Sequence, residues 1–157
     1  MKIRPCSRRD LARAQRFLND NGAAIVARLG EVMVALRHPA LLAEDEDRIV
    51  GVLTYVTSGD RCELLTLHVR DSWRGVGSLL LEEVERVVRQ TGCKRLWLIT
   101  TNDNVDALRF YQRRGFRLEA LYPGAVDVSR RELKAEIPRT GAYGIPLTDE
   151  LLLEKDI

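Results

Sequence analysis

Cysteine is scarce in this chain and odd in number. Cys6, Cys62 and Cys93 show no Cys-x-x-Cys spacing, so neither a disulfide framework nor a zinc site is expected. His38 and His68 are the two histidines and lie far apart in sequence, and no metal site is expected. An excess of one charge is also missing. The 25 Lys and Arg stand against 23 Asp and Glu for a formal net charge of +2, which gives no reason to expect nucleic-acid or anionic-membrane binding. The pairs Arg8-Arg9, Arg113-Arg114 and Arg130-Arg131 read as solvated faces. No apolar run is long enough to span a bilayer, and the opening MKIRPCSRRD lacks the apolar core of a signal peptide. An intracellular, soluble, cytoplasmic protein is expected. Two phosphate-loop signatures are absent as well. No Gly-x-x-x-x-Gly-Lys-Ser/Thr run exists, and Leu80 stands where a dinucleotide fingerprint needs a third small residue.

At 157 residues, 45% hydrophobic and 31% charged, the chain has the size and composition of one globular domain spanning 1–157. Its centre is the stretch ELLTLHVRDSWRGVGSLL, Glu63 to Leu80. Leu64, Leu65, Leu67 and Val69 read as a buried strand, and Arg70 to Arg74 break the apolar pattern. Gly75 and Gly77 then lead into an apolar helical face at Val76, Leu79, Leu80, Val84, Val87 and Val88. A strand that passes through glycine into a helix N-terminus makes an anion site, because the unpaired first-turn N–H groups and the positive dipole end converge there. A plain strand-to-helix connection has the same glycines, so this turn is informative only in combination.

In chain order, Lys2–Arg4 reads as a short strand stopped by Pro5, and Ser7 with Asp10 resembles a capping box. Leu11, Ala14, Phe17 and Leu18 give one helical face, ending near Asn21-Gly22. Residues 23–38 read either as helix broken at Gly30 or as part strand. Ala40–Ala43, Val50–Val56 and Cys62–Val69 are three strands with short links, an antiparallel meander. A helix over 76–91 and the strand Lys94–Thr101 follow. A strand-helix-strand crossover requires that strand to run parallel to Glu63–Val69. Asp103 or Asn104 caps a helix carrying Ala107, Leu108, Phe110 and Tyr111, closed by Gly115. Phe116–Tyr122 is a strand, the segment past Pro123 reads as irregular, and ELLLEKDI adds a last strand.

The order of strand, RGVGSLLLEEVE, strand and NVDALRFYQRRGF resembles the GCN5-related N-acetyltransferase (GNAT) superfamily. Asn104, Ala107 and Tyr111 fall at the spacing of its Asn-x-x-Ala-x-x-x-Tyr helix, followed by Gly115-Phe116. Gly75 and Gly77 fit its Gln/Arg-x-x-Gly-x-Gly/Ala loop. Ser72 stands where Gln or Arg is usual, the loop after Val69 is short, and Arg74 offers a substitute charge. The likeness is strong from Glu63 to Leu118. It implies an α/β fold with a mixed sheet, an antiparallel N-terminal meander, a parallel and splayed central strand pair, and helices on both faces. It also implies an acetyl-CoA-dependent N-acetyltransferase acting on a primary amine of a small molecule or peptide by direct attack.

The resemblance assigns acetyl-CoA, as co-substrate, to Leu67, His68 and Val69 along the pantetheine arm. It assigns the diphosphate to the turn of Arg74, Gly75, Val76, Gly77, Ser78 and Leu79, and further contacts to Asn104, Ala107 and Phe110. Tyr111 is the candidate general acid for the leaving thiolate; a tyrosine beside Phe110 also reads as a packing residue. Asn104 reads equally as a plain N-cap. Glu63 is the candidate base that takes the amine proton, against a solvent-facing residue at a strand's start, and His68 is another. Strict alternation puts His68 with Thr66 and Leu64, opposite Leu65, Leu67 and Val69. A catalytically idle acyl-CoA-binding or sensing module is the alternative, and a small nucleotide-binding protein a remote third. Homodimerisation is compatible with the chain.

Overall fold

Strands and helices form where apolar periodicity and turn residues place them in the computed structural model, which describes residues 1–70 and 75–157. In chain order the elements are β1 (Lys2–Pro5), α1 (Leu11–Asp20), β2 (Ile25–Arg28), β3 (Glu31–Val34), β4 (Ala40–Asp45), β5 (Arg48–Ser58) and β6 (Arg61–Val69). They continue with α2 (Val76–Arg89), β7 (Arg95–Thr101), α3 (Val105–Gln112), β8 (Arg117–Tyr122), α4 (Ala125–Glu132) and β9 (Glu150–Asp156). The described residues divide into two compact units, one of Met1–Val26, Val34–Leu96 and Ile157, the other of Ala27–Met33 and Trp97–Asp156.

In the first unit β1, β4, β5 and β6 lie in that order, each antiparallel to the next, and β6 is followed by the opening residues of β7, Arg95 and Leu96. The meander and the parallel pair of β6 and β7 are therefore as expected. Helices cover both faces. Ala14, Phe17 and Leu18 of α1 pack with Ala23, Ala35, Leu42, Ile49 and Val52. On the opposite face, Val76 and Leu80 of α2 meet β5 at Gly51, beside Ala43. Leu11, assigned to the apolar face of α1, is 42% exposed, because the stripe that meets the sheet begins at Ala14. In α2, Leu79 is likewise exposed and Leu81 is buried in its stead. The apolar stripe of that helix therefore runs through Val76, Leu80, Leu81, Val84 and Val88.

The second unit orders its strands β7, β9, β8, with β8 and β9 antiparallel. Leu98, Tyr111, Phe116, Val126, Leu147 and Leu153 are its buried apolar residues. Two segments depart from the sequence reading. Residues 25–34 form a two-stranded hairpin that turns at Leu29 and Gly30, both at positive φ, and so resolve the ambiguity in favour of strand. Residues 125–132, read as irregular, form α4. Gly124 starts it in left-handed geometry, and only Val126 and Ser129 are buried along it. Two buried positions in eight give too thin a periodic signal to read from sequence.

Charge pairing fastens the start of the first unit. Arg4 donates to Asp10 through Nη1 at 2.7 Å and Nη2 at 2.8 Å, and to Glu44 through Nε at 2.8 Å. Arg13 joins both carboxylates, and Asp10 also takes the Ser7 N–H and hydroxyl, completing the expected capping pattern. The Arg4 hydrogen bonds, with those from Ser7, hold the Asp10 carboxyl well below the usual carboxylate range. A carboxyl depressed in the fold stabilises it fully above the unfolded value, and that stabilisation drains away as pH falls toward the folded value. Melting temperature is therefore expected to fall as pH is lowered from about 5 to about 2, the window that runs through and below an unfolded Asp value near 3.9. Asp10→Asn should melt lower at pH 7 and show a shallower slope across that window. An unchanged slope by thermal denaturation would remove Asp10 from this role.

Candidate active site

Strand β6 carries two functions on one backbone, and a bulge makes that possible. Its pairing with β5 runs Val52 to His68, Leu53 to Leu67 and Thr54 to Thr66. It then skips Leu65, so that Tyr55 opposes Leu64 and Val56 opposes Glu63. Cross-strand partners share a face, so Glu63, Thr66 and His68 lie together on the face of Val52, Thr54 and Val56. Cys62, Leu64, Leu67 and Val69 turn to the other face, which is the face of Gly51 and α2. This corrects the simple alternation that grouped His68 with Leu64: one extra residue inverts the phase of everything before it.

The face is polar but largely withdrawn from water. Glu63 and Thr66 are buried, and the hydroxyls of Thr54 and Thr66 lie 2.8 Å apart. Glu63 is thus not the solvent-facing residue that its place near the strand's start also allowed. Burial lowers the His68 imidazole below its ordinary value of 6.5, so the ring is neutral at pH 7 and able to accept a proton. Leu67 and Val69 are half-buried.

Helix α2 opens on Gly75 at φ 76°, a left-handed conformation that a side chain would strain. The first intrahelical bond runs from the Leu79 N–H to the Gly75 carbonyl. Helix geometry therefore leaves the first-turn N–H groups of Val76 and Gly77 without an intrahelical acceptor, whereas that of Leu79 is engaged within the helix. Val76 and Gly77 are buried and Leu79 is 42% exposed. Such a turn has the donors and the dipole end that an anion requires. Ser72 and Arg74 lie outside the described residues.

In the second unit α3 carries the other group of candidate residues. The Asn104 side chain accepts the Ala107 N–H at 3.3 Å, so the N-cap role is real. Ala107 and Phe110 are half-buried on the same helix. Tyr111 is 8% exposed, and its ring stands edge-on to Phe110 at 5.0 Å and to Phe116 at 5.2 Å. Burial pushes its phenol well above the usual range, so it remains protonated at any physiological pH.

Sequence reading assigned no role to Gly51 or Asn102, and named Thr66 only as a strand neighbour of His68 and Asp103 only as an alternative helix cap. Gly51 was visible as the one small residue in VGVLTYV, but only packing shows what it faces. A Cβ there would stand 2.9 Å from Leu80 Cδ1 and 3.1 Å from Val76 Cγ1, so the start of α2 rests directly on the β5 backbone. Among the described residues no helix is long and apolar enough to cross a membrane, and no group of three or more His, Cys, Asp or Glu is placed to hold a metal ion.

The sequence matches the model of the acetyltransferase (GNAT) family over residues 8–116. YxbD of Bacillus subtilis, an uncharacterized protein, is 43% identical over 74% of this chain and 72% of its own. An uncharacterized N-acetyltransferase of Mycobacterium tuberculosis is 32% identical over 59% of this chain and 61% of its own. Two solved structures share the fold at low identity. A GNAT-family acetyltransferase of Streptococcus pneumoniae superposes with TM-score 0.72 at 22% identity, covering 99% of each chain. One from Elizabethkingia anophelis, with acetyl-CoA bound, gives 0.70 at 21%, covering 99% of this chain and 97% of that one.

The close seat of α2 on β5 gives a direct expectation. Gly51→Ala should cost about 1 kcal/mol, and Gly51→Val about 2–3 kcal/mol, from overpacking against fully buried side chains. At about 2–4 °C per kcal/mol for a chain of this size, the valine variant should melt roughly 5–10 °C lower in calorimetry. Equal melting of all three proteins would mean that α2 does not rest on this strand.

Proposed function

The chain belongs to the acetyltransferase (GNAT) family and is an N-acetyltransferase of that type; from this premise we propose that it transfers the acetyl group of acetyl-CoA to a primary amine of a small molecule or peptide by direct attack. The reading is carried by one observation. Asn104, Ala107 and Tyr111, at the family's spacing, occupy one capped helix on which Asn104 closes the first turn and Tyr111 is buried. The single-domain reading of 1–157 is supported by relatives of the same fold that cover 99% of this chain.

Acetyl-CoA supplies the thioester and the leaving thiolate. The first-turn N–H groups of Val76 and Gly77, with Ser78 beside them, fit its diphosphate, since an anion there faces the positive end of α2. Leu67 to Val69 hold the pantetheine arm by strand pairing and offer an N–H to the thioester oxygen. Glu63 takes the amine proton through water, with His68, neutral and on the same strand face, as the other acceptor. Tyr111 donates a hydrogen bond to the sulfur as charge develops there. A thiol near pKa ~8.5 is a stronger acid than a buried phenol, so full proton transfer from Tyr111 would be uphill. Its contribution is the hydrogen bond to developing charge, and the proton comes ultimately from solvent.

Titration of acetyl-CoA into the wild type and Gly77→Trp tests the cofactor assignment. Micromolar binding that is lost in the variant is the expected result, and a wild type that does not bind acetyl-CoA overturns the reading. Tyr111→Phe separates an enzyme from an idle acyl-CoA-binding module. Loss of one hydrogen bond to a charged group, about 1.5–3 kcal/mol, should lower kcat roughly 10- to 100-fold while leaving acetyl-CoA affinity within about three-fold. No turnover by the wild type with any member of a broad amine panel would favour the idle module.

A further inference from the structure

We propose that residues 139–149 form a strap that positions the Asn104 turn for acetyl-CoA, with Asp103, Gly141 and Tyr143 as positioning residues; the inference rests on the acetyl-CoA reading above. Every group in it belongs to the second unit. Asn104 sits in an unusual turn for a helix N-cap. Its φ of −81° and ψ of 61° are inverse γ-turn values, and the Val105 N–H donates across it to the Asp103 carbonyl at 2.8 Å. So tight a turn needs external support to hold one orientation of the asparagine amide.

The strap supplies that support on both sides of Asn104. Asn102 Nδ2 donates to the Pro146 carbonyl at 2.8 Å, and its Oδ1 accepts the N–H groups of Thr148 and Asp149 at 3.1 and 3.0 Å. Asp103, 8% exposed, accepts the Ala142 N–H at 2.8 Å and the Thr101 hydroxyl. Beyond the cap, the Tyr143 hydroxyl donates to Asp106 at 2.7 Å. Tyr143 makes this bond from a left-handed backbone, φ 57°, while its ring is 71% exposed. A non-glycine residue kept there is over-determined by its surroundings.

The strap is itself stiff. Thr140 and Pro146 pair as an antiparallel bridge, and the Gly141 N–H donates to the Ile145 carbonyl at 2.8 Å. From α4, Arg130 donates to the carbonyls of Ile137, Pro138 and Leu147. Contact with the cap turn is close enough to exclude any side chain at Gly141, where a Cβ would lie 2.1 Å from Asp103 Oδ2. Gly141→Ala therefore wedges the strap away from Asp103 without removing a polar group, and Asp103→Ala removes the anchor without adding bulk.

The test is acetyl-CoA affinity by calorimetry, with kcat at saturation and hydrogen exchange over 139–147. Both variants are expected to weaken acetyl-CoA binding by about five- to twenty-fold with kcat changed less than about two-fold, and the double variant to be no worse than either single, because they break one contact. Asp103→Asn keeps an acceptor for the Ala142 N–H and should retain most of the affinity. Unchanged acetyl-CoA affinity in Gly141→Ala and Asp103→Ala, with exchange showing the strap released, overturns the proposal and leaves the acetyl-CoA reading standing. A wild type that fails to bind acetyl-CoA fells both. Should either variant unfold, Tyr143→Phe, which removes one exposed hydroxyl, decides the matter: weaker binding supports the strap's role, and wild-type affinity overturns it.

Discussion

The register shift in β6 is the constraint on which the first unit depends. Without the extra residue at Leu65, the carboxylate of Glu63 would fall on the apolar face with Leu67 and Val69, against the side where α2 packs. A buried charge among aliphatic side chains is far more costly than a bulge, which sacrifices one rung of hydrogen bonding. The bulge therefore lets one strand offer aliphatic residues to α2 and, on its other face, collect Glu63, Thr66 and His68. The shared face makes Glu63 and His68 members of one polar surface, where simple alternation had separated them.

In each unit, one helix carrying candidate residues is set by a contact too close for a side chain. Val76 and Leu80 of α2 rest on Gly51, and the turn before α3 meets the strap at Gly141. In both places a glycine pressed against a neighbouring element, buried at Gly51 and half-buried at Gly141, decides where a helix N-terminus sits. A displacement of that N-terminus moves the donors of the whole first turn together, which is why such contacts matter to an anion site. Gly75 contributes differently, by taking the left-handed conformation from which α2 begins.

Buried charge has a structural use away from the site. Asp10 is surrounded by two arginines and the Ser7 N–H and hydroxyl, and so remains ionised in a setting of low exposure. Glu150, at the start of β9, is 2% exposed and accepts the Leu29 N–H at 3.1 Å, while desolvation raises its pKa. That bond links the last strand to a hairpin turn 121 residues earlier. It gives residues 25–34 a fixed turn where the sequence left helix and strand equally open.

Local pattern was sufficient for most of the architecture. The meander, α1, α2 and α3 follow from apolar periods, caps and turn glycines, because these elements form under the influence of neighbours within a few residues. The Asn104, Ala107 and Tyr111 spacing and the glycines at 75 and 77 were enough to indicate the family. Tertiary structure alone decided the phase of β6, since a bulge is a property of a pairing and neither strand by itself records it. It alone revealed α4, whose few buried positions give no period, and the hairpin at 25–34, which is fixed by a distant carboxylate. The roles of Gly51 and Gly141 were likewise hidden, because a glycine's neighbours across the fold, and not along the chain, determine whether a Cβ has room.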